Sequence, residues 1–165
     1  AGLALMALNS TRPCAPDGIA NAIWPGRIQK LDTGALAAIW PYQPIWLDGA
    51  HNAHGATALA ATLHTIHVGK WNVICGALNT RDPAEILAPL TPLAGRVACL
   101  TIPNQDASLA ATKMSDTARH LGLAASPAAT LAACFDLLDQ TAPVIICGSL
   151  YLAGFILIQN NTLPV

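Results

Sequence analysis

Charge is scarce in this chain. Only 10% of its 165 residues are charged, and eight Lys and Arg face nine Asp and Glu for a net charge of −1. A chain so poor in charge and 53% hydrophobic has too much apolar surface to stay unfolded. The near-neutral balance also excludes the electrostatic footprint of a nucleic-acid binder. The five cysteines, at 14, 75, 99, 134 and 147, are odd in number and form no C-x-x-C pair. That spacing carries no metal signature and fits buried small hydrophobes in a reducing cytoplasm. A membrane span is lacking as well. The most apolar stretch, Val144 to Ile158, is interrupted by Gly148, Ser149, Tyr151 and Gly154. It falls short of the roughly 18–20 apolar residues a spanning helix needs. Abundant Ala explains the mean hydropathy of +0.46 without a lipid-facing surface.

The familiar nucleotide fingerprints are missing too. No G-x-G-x-x-G follows an apolar run, so a dinucleotide site lacks its signature. No G-x-x-x-x-G-K-[ST] occurs, and Lys30, Lys70 and Lys113 lie outside any Gly-rich loop. A complete ATP-cleaving site is therefore not expected within the chain. Gly148-Ser149-Leu150-Tyr151 is not the G-x-S-x-G elbow of a hydrolase. A Ser149 nucleophile served by His51 or His54 is one reading; a capping or carboxylate-binding hydroxyl is the other. Ala1 to Leu8 has the look of a signal-peptide core, yet no basic residues precede it. It reads as the end of a helix that began earlier. Cys14 to Gly18 follows as a Pro- and Gly-containing linker.

What is present is organised around Pro44 to Gly55, an apolar run Ile45-Trp46-Leu47 that closes as Asp48-Gly49-Ala50-His51-Asn52. The following residues, Gly55 to His67, have helical spacing. Polar residues therefore sit where a buried strand hands over to a helix, with Asn52 or His54 as its cap. Further strands are expected at Trp71–Gly76, Arg96–Thr101, Leu123–Ala125 and Val144–Cys147, with a short candidate at Leu36–Trp40. Helices are expected from Asp82 to about Leu93, over Ser108–Leu121 and Ser126–Asp139, and from Leu150 through Ile158. Asp82 caps the first of these with Pro83 behind it, and Ser126 caps the third with Pro127 behind it. Alternating strands and helices predict an α/β fold: a Rossmann-like, doubly wound, mostly parallel sheet with helices on both faces.

In such a sheet the strand-end loops share one rim, where ligands bind. Four polar clusters fall there: Asp48–His54, Asn79–Asp82, Asn104–Asp106 and Gly148-Ser149. Arg27, delivered by the Pro25-Gly26 turn, joins them from outside the sheet as either a phosphate ligand or a solvated surface cation. The set suits a nucleotide or another anionic substrate. His51 and His54 lie three apart at a turn, but no Cys or carboxylate spacing supports a metal site there.

Four strings occur in order: Trp24-Pro25-Gly26-Arg27-Ile28-Gln29, Leu47-Asp48-Gly49-Ala50-His51-Asn52, Gly76-Ala77-Leu78-Asn79-Thr80-Arg81-Asp82, and Cys147-Gly148-Ser149-Leu150-Tyr151-Leu152-Ala153-Gly154. Together they resemble the C-terminal domain of bifunctional folylpolyglutamate synthase/dihydrofolate synthase, a relative of the Mur ligases. The resemblance covers nearly all of the chain from Ile19 onward. It implies a cytoplasmic ligase that uses ATP and Mg²⁺ to activate a pteroate or folate carboxylate as an acyl phosphate, which L-glutamate then attacks. It also implies that the P-loop and the metal ligands belong to the enzyme's own N-terminal ATPase domain, that residues 1–18 are the remnant of that domain's last helix and a linker, and that residues 19–165 form the Mur-ligase-type C-terminal domain. By resemblance, Arg27 and Asp48 contact ATP. His51, as the catalytic residue, and Ser149 face the glutamate substrate, and Arg81 is a further substrate contact. No metal ligand, nucleic acid or membrane is expected for this unit.

Three positions depart from the family pattern. Ala53 replaces a Pro after D-G-A-H-N, Arg81 replaces a Lys, and Phe155 stands where a Glu is common. The charge survives at Arg81, although a guanidinium and an ammonium are not geometrically equivalent. The alternatives to a ligase unit are a stand-alone nucleotide- or metabolite-binding module without catalysis and a hydrolase built on Ser149.

Overall fold

The computed structural model describes residues 25–162. The expected helix at Ala1–Leu8, the linker Cys14–Gly18 and the last three residues of the tail lie outside the described residues.

Six strands form one sheet. They are β1 (Gln29–Lys30), β2 (Ile45–Leu47), β3 (Trp71–Cys75), β4 (Ala94–Leu100), β5 (Ala124–Ala128) and β6 (Val144–Cys147), in the spatial order β1-β2-β6-β3-β4-β5. Only β1 runs antiparallel, against β2; the other neighbours are parallel. The helices are α1 (Ala35–Ile39), α2 (Ala53–Ile66), α3 (Ala84–Leu87, continued by a 3₁₀ turn over Ala88–Leu90), α4 (Ala111–His120), α5 (Leu131–Asp136) and α6 (Leu150–Gln159). The fold is the α/β, mostly parallel sheet that the alternation predicts.

The two-residue period of the strands divides the core. Val73 and Cys75, with Ile145 and Cys147, face a layer built on Leu59 and Leu63 of α2, Ile86 and Leu87 of α3 and Met114 of α4. Ile74, Val144 and Ile146 face the opposite layer, with Leu36 of α1, Phe135 of α5 and Leu152 and Ile156 of α6. The sheet is thus covered on both faces, which explains strands apolar at nearly every position. Each fully buried Leu or Ile contributes about 1.5–3 kcal/mol.

Three expectations are corrected. Leu36–Trp40 is helical. Its buried pair, Leu36 and Trp40, is spaced four apart, which fits a strand face and a helix face equally. The helix is decided from far away: Asn160 Oδ1 accepts from Leu36 N–H at 2.9 Å, and the Asn160 carbonyl accepts from Ala35 N–H at 3.2 Å. Ser126 and Pro127 do not start a helix; they lie in β5. That strand is at the sheet edge and pairs only with β4, where a residue without an N–H is tolerated. Thr130 caps α5 instead, its side chain accepting from Ala133 N–H at 3.1 Å. Finally, α4 starts at Ala111 rather than Ser108. Thr101 Oγ1 accepts the Ala111 N–H at 2.9 Å, while Ser108 Oγ accepts from Ile102 N–H.

The four cysteines among the described residues are free and buried. Burial pushes the Cys99 and Cys134 thiols up to about 12. The Cys75 thiol is also raised, first by its hydrogen bond to Cys147 and then by burial. All three stay protonated at neutral pH and act as small core residues.

Candidate functional site

Because β6 lies between β2 and β3, the loops leaving three adjacent strands meet at one edge of the sheet. They line a cleft of ≈ 180 Å³. His51 comes from the loop after β2, Thr80 and Arg81 from the loop after β3, and Gly148 to Tyr151 from the turn after β6. The position is the crevice outside the carboxyl ends of the strands, at the point where the strand order reverses.

The β6 turn needs glycine. Gly148 has φ of 116°, and a Cβ there would lie 2.7 Å from the Gly76 carbonyl oxygen and 2.9 Å from Cys75 Sγ. Its N–H donates to the Ala50 carbonyl at 3.0 Å, which joins the β6 turn to the β2 loop. Ser149 follows as the N-cap of α6. It is 3% exposed, and its Oγ accepts from Tyr151 N–H at 3.1 Å. As an acceptor in that bond, the hydroxyl keeps its own proton to donate. It sits at a helix N-terminus, a favourable place for a carboxylate.

His51 is oriented by its own turn. Nδ1 lies 2.9 Å from the Gly49 carbonyl. A carbonyl only accepts, so Nδ1 donates in this contact, and Nε2 is the ring nitrogen left to exchange a proton. Asn52 caps α2, its side chain accepting from Gly55 N–H at 2.8 Å. No hydrogen bond joins Ser149 to His51 among the described residues, so the pairing that a serine nucleophile needs is not formed. Arg81 Nη1 lies 4.0 Å from Glu85 Oε2, with both side chains about half exposed. Such a loose surface pair is worth little and leaves the guanidinium available to an anion in the cleft.

Asp48 and Arg27 do not line this cleft; they build the adjoining turn. Asp48 is 6% exposed. Its Oδ1 accepts from Ala50 N–H at 2.7 Å and its Oδ2 from Ile28 N–H at 2.9 Å. Gly49 N–H donates to the Gly26 carbonyl at 2.6 Å. The Pro25–Gln29 turn is therefore clamped to the β2 loop on both sides of Arg27. Arg27 itself is exposed and makes no ion pair among the described residues. The cluster Asn104–Asp106 contributes no residue to the cleft. The loop that carries it instead braces Ala77 and Leu78, which line the cleft, through a bridge between Leu78 and Ser108 and the bond from Leu109 N–H to the Ala77 carbonyl.

Three of the groups present suit an anion: the two arginines and a serine hydroxyl at a helix start. They offer nothing comparable to a cation. Among the described residues no three His, Cys, Asp or Glu side chains converge as a metal site, so no side chain described here is assigned to Mg²⁺. No helix among the described residues is long and apolar enough to cross a membrane.

Fold and rim together define a class: a doubly wound α/β unit with an anion-receptive crevice at its strand ends. The chain belongs to the family described as dihydrofolate synthetase, C-terminal domain, which it matches over residues 40–159. The folylpolyglutamate synthase of Lacticaseibacillus casei is 33% identical over 139 residues, covering 83% of this chain and 30% of that relative. The structure of E. coli FolC in complex with DHPP and ADP is 25% identical with a TM-score of 0.76, covering 94% of this chain and 37% of that one. The Mycobacterium tuberculosis folylpolyglutamate synthase complexed with ADP and AMPPCP shares the fold with a TM-score of 0.80 at 22% identity, covering 99% of this chain and 39% of that one. The chain thus spans about a third of the Lacticaseibacillus relative's length.

Proposed function

We propose that this chain is the C-terminal domain of an ATP-dependent ligase that adds L-glutamate to dihydropteroate or folate through an acyl phosphate. In this reading residues 19–165 form the domain, and residues 1–18 are the remnant of the last helix of the preceding ATPase domain and a linker. That ATPase domain supplies the P-loop and the Mg²⁺ ligands, and the enzyme works in the cytoplasm. The observation that carries the reading is the joined rim. One clamped turn presents Arg27, and the cleft beside it gathers His51, Arg81 and Ser149. A Yersinia pestis relative solved with AMPPNP and a Mn ion lends support, as does a folylpolyglutamate synthase/dihydrofolate synthase solved with Mn, AMPPNP and L-glutamate.

The roles follow from the chemistry of the groups. Arg27 and Asp48 form the ATP-binding part. Arg27 offsets negative charge on the phosphates as phosphoryl transfer proceeds. Asp48 shapes the ATP edge of the rim and uses its remaining lone pairs toward the nucleotide. Ser149 donates its hydroxyl proton, and Arg81 its guanidinium, to the carboxylates of glutamate. The α-ammonium of glutamate must lose a proton before nitrogen can attack the acyl phosphate. The Nε2 lone pair of His51 is the acceptor suited to that transfer.

In the full-length protein that carries this chain, ADP release is expected only when ATP, L-glutamate and a pteroate or folate acceptor are all present. The purified chain on its own is expected to bind weakly and ligate nothing. Ligation by the chain alone, or ADP release that ignores glutamate, overturns the proposal.

A further inference from the structure

We infer that Gln29 is a positioning residue for Arg27. The inference rests on the ligase reading only for what Arg27 meets; the geometry stands without it.

Arg27 sits between two residues in the left-handed region, Gly26 with φ of 68° and Ile28 with φ of 45°. Glycine adopts that conformation freely, but a β-branched residue does not. Such strain persists only where the surroundings over-determine the backbone. Three hydrogen bonds do so here. Two tie the turn outward: Ile28 N–H to Asp48 Oδ2 at 2.9 Å, and Gly49 N–H to the Gly26 carbonyl at 2.6 Å. The third closes the turn on itself, from Gly26 N–H to Gln29 Oε1 at 2.9 Å.

The third bond differs from the others in what it controls. Gln29 is anchored by its strand pairing with Leu47, so its side chain reaches back from a fixed backbone. Removing it leaves Ile28 and the Gly26 carbonyl tied but frees the Gly26 amide. The peptide entering Gly26 can then rotate, and the strained turn that carries Arg27 is held only on its β2-loop side. The guanidinium is exposed and lacks an ion-pair partner among the described residues. Its direction is therefore set by the backbone of this turn and not by a side-chain neighbour. A long flexible cation on a strained turn that has lost one of its three ties spreads over more positions as the turn relaxes, and misplacement of a charge-stabilising group weakens binding steeply. Gln29 acts without touching the ligand.

The test uses the full-length protein that carries this chain, with Mg·ATP as the probe. Gln29→Ala is expected to raise the KM for ATP about tenfold while leaving that for L-glutamate unchanged. Hydrogen exchange at the Gly26 amide is expected to accelerate at least tenfold. Gln29→Glu, which keeps an acceptor at the same reach, restores both values to within about threefold. Gln29→Asn, one methylene shorter, restores neither, so the Glu and Asn pair decides the matter even if the alanine variant folds poorly. In an Arg27→Ala background, Gln29→Ala is expected to add no further loss of ATP affinity, as coupled residues should behave. An undiminished additional loss overturns the positioning role and leaves the ligase reading intact, as does an unchanged KM in Gln29→Ala. If Arg27→Ala itself leaves the KM for ATP unchanged, both the positioning role and the assignment of Arg27 to ATP fall, whatever the Gly26 amide does.

Discussion

Arg27→Ala is expected to lower kcat/KM for ATP by about 10²–10³-fold in the full-length protein that carries this chain. The size follows from the cation's place. Arg27 is an exposed guanidinium on a turn held by three hydrogen bonds. The backbone that carries the charge is fixed before any ligand arrives, so under the proposed role less reorganisation is needed when phosphate charge develops. Removing one such group from a charge-stabilising site costs about 3–4 kcal/mol. Stability should hardly change, because the side chain is exposed and makes no ion pair among the described residues. Arg27→Lys is expected to recover only part of the loss, since an ammonium replaces the charge but not the planar fork. Steady-state ADP release measures the effect. A decrease of less than about threefold for the alanine variant would remove Arg27 from the site.

Gly148→Ala is expected to destabilise the fold by about 3–5 kcal/mol. Two penalties combine. At φ of 116° an L side chain is strained whatever the space around it, and here the space is filled. A Cβ would stand 2.7 Å from the Gly76 carbonyl oxygen and 2.9 Å from Cys75 Sγ. The carbonyl belongs to the backbone leaving a central strand and cannot swing aside as a flexible side chain can. The turn would have to move outward, weakening the bond from Gly148 N–H to the Ala50 carbonyl and displacing Ser149 behind it. Chemical denaturation monitored by tryptophan fluorescence reads the loss directly. A midpoint that corresponds to less than about 1 kcal/mol would show that the turn is looser than its contacts imply.

Much of this architecture is legible in the residues because local and global signals agree. The runs Trp71–Cys75 and Val144–Cys147 are apolar at almost every position, as strands covered on both faces must be. The helix over Ala53–Ile66 announces itself by its cap at Asn52 and by Ala56, Leu59 and Leu63, which fall on one buried stripe. Where reading fails, the deciding contact is distant. Asn160 fixes the start of α1 from 124 residues away. Thr101, ten residues upstream, takes over the capping role expected of Ser108. The Ser126-Pro127 pair has the chemistry of a helix start, but its place at the sheet edge makes it a strand.

The site divides in the same way. Four polar clusters at strand ends can be named from the sequence. Which of them share a cleft depends on β6 inserting between β2 and β3, and nothing local encodes that insertion. It brings His51, Arg81 and Ser149 together and leaves Asn104–Asp106 out. Asp48 is legible as a candidate at a strand end, but its bond to the Ile28 amide 20 residues away is not. Gln29 belongs to the same string as Arg27. Its one signal is a side-chain amide three residues after the glycine of a Pro-Gly turn, within reach of that glycine's N–H.

The rim's division of labour, with phosphates at the clamped turn and glutamate in the cleft, is the centre of this account. It is tested most directly by measuring the KM values for ATP and L-glutamate in the full-length protein beside its Arg27→Ala and Ser149→Ala variants. Arg27→Ala should raise the KM for ATP and leave that for glutamate within about twofold. Ser149→Ala, which removes one hydrogen bond to a charged group, should raise the KM for glutamate about tenfold or more and leave that for ATP unchanged. If both variants shift both constants together, or if neither variant shifts either, the rim is not divided between nucleotide and amino acid and the account is contradicted.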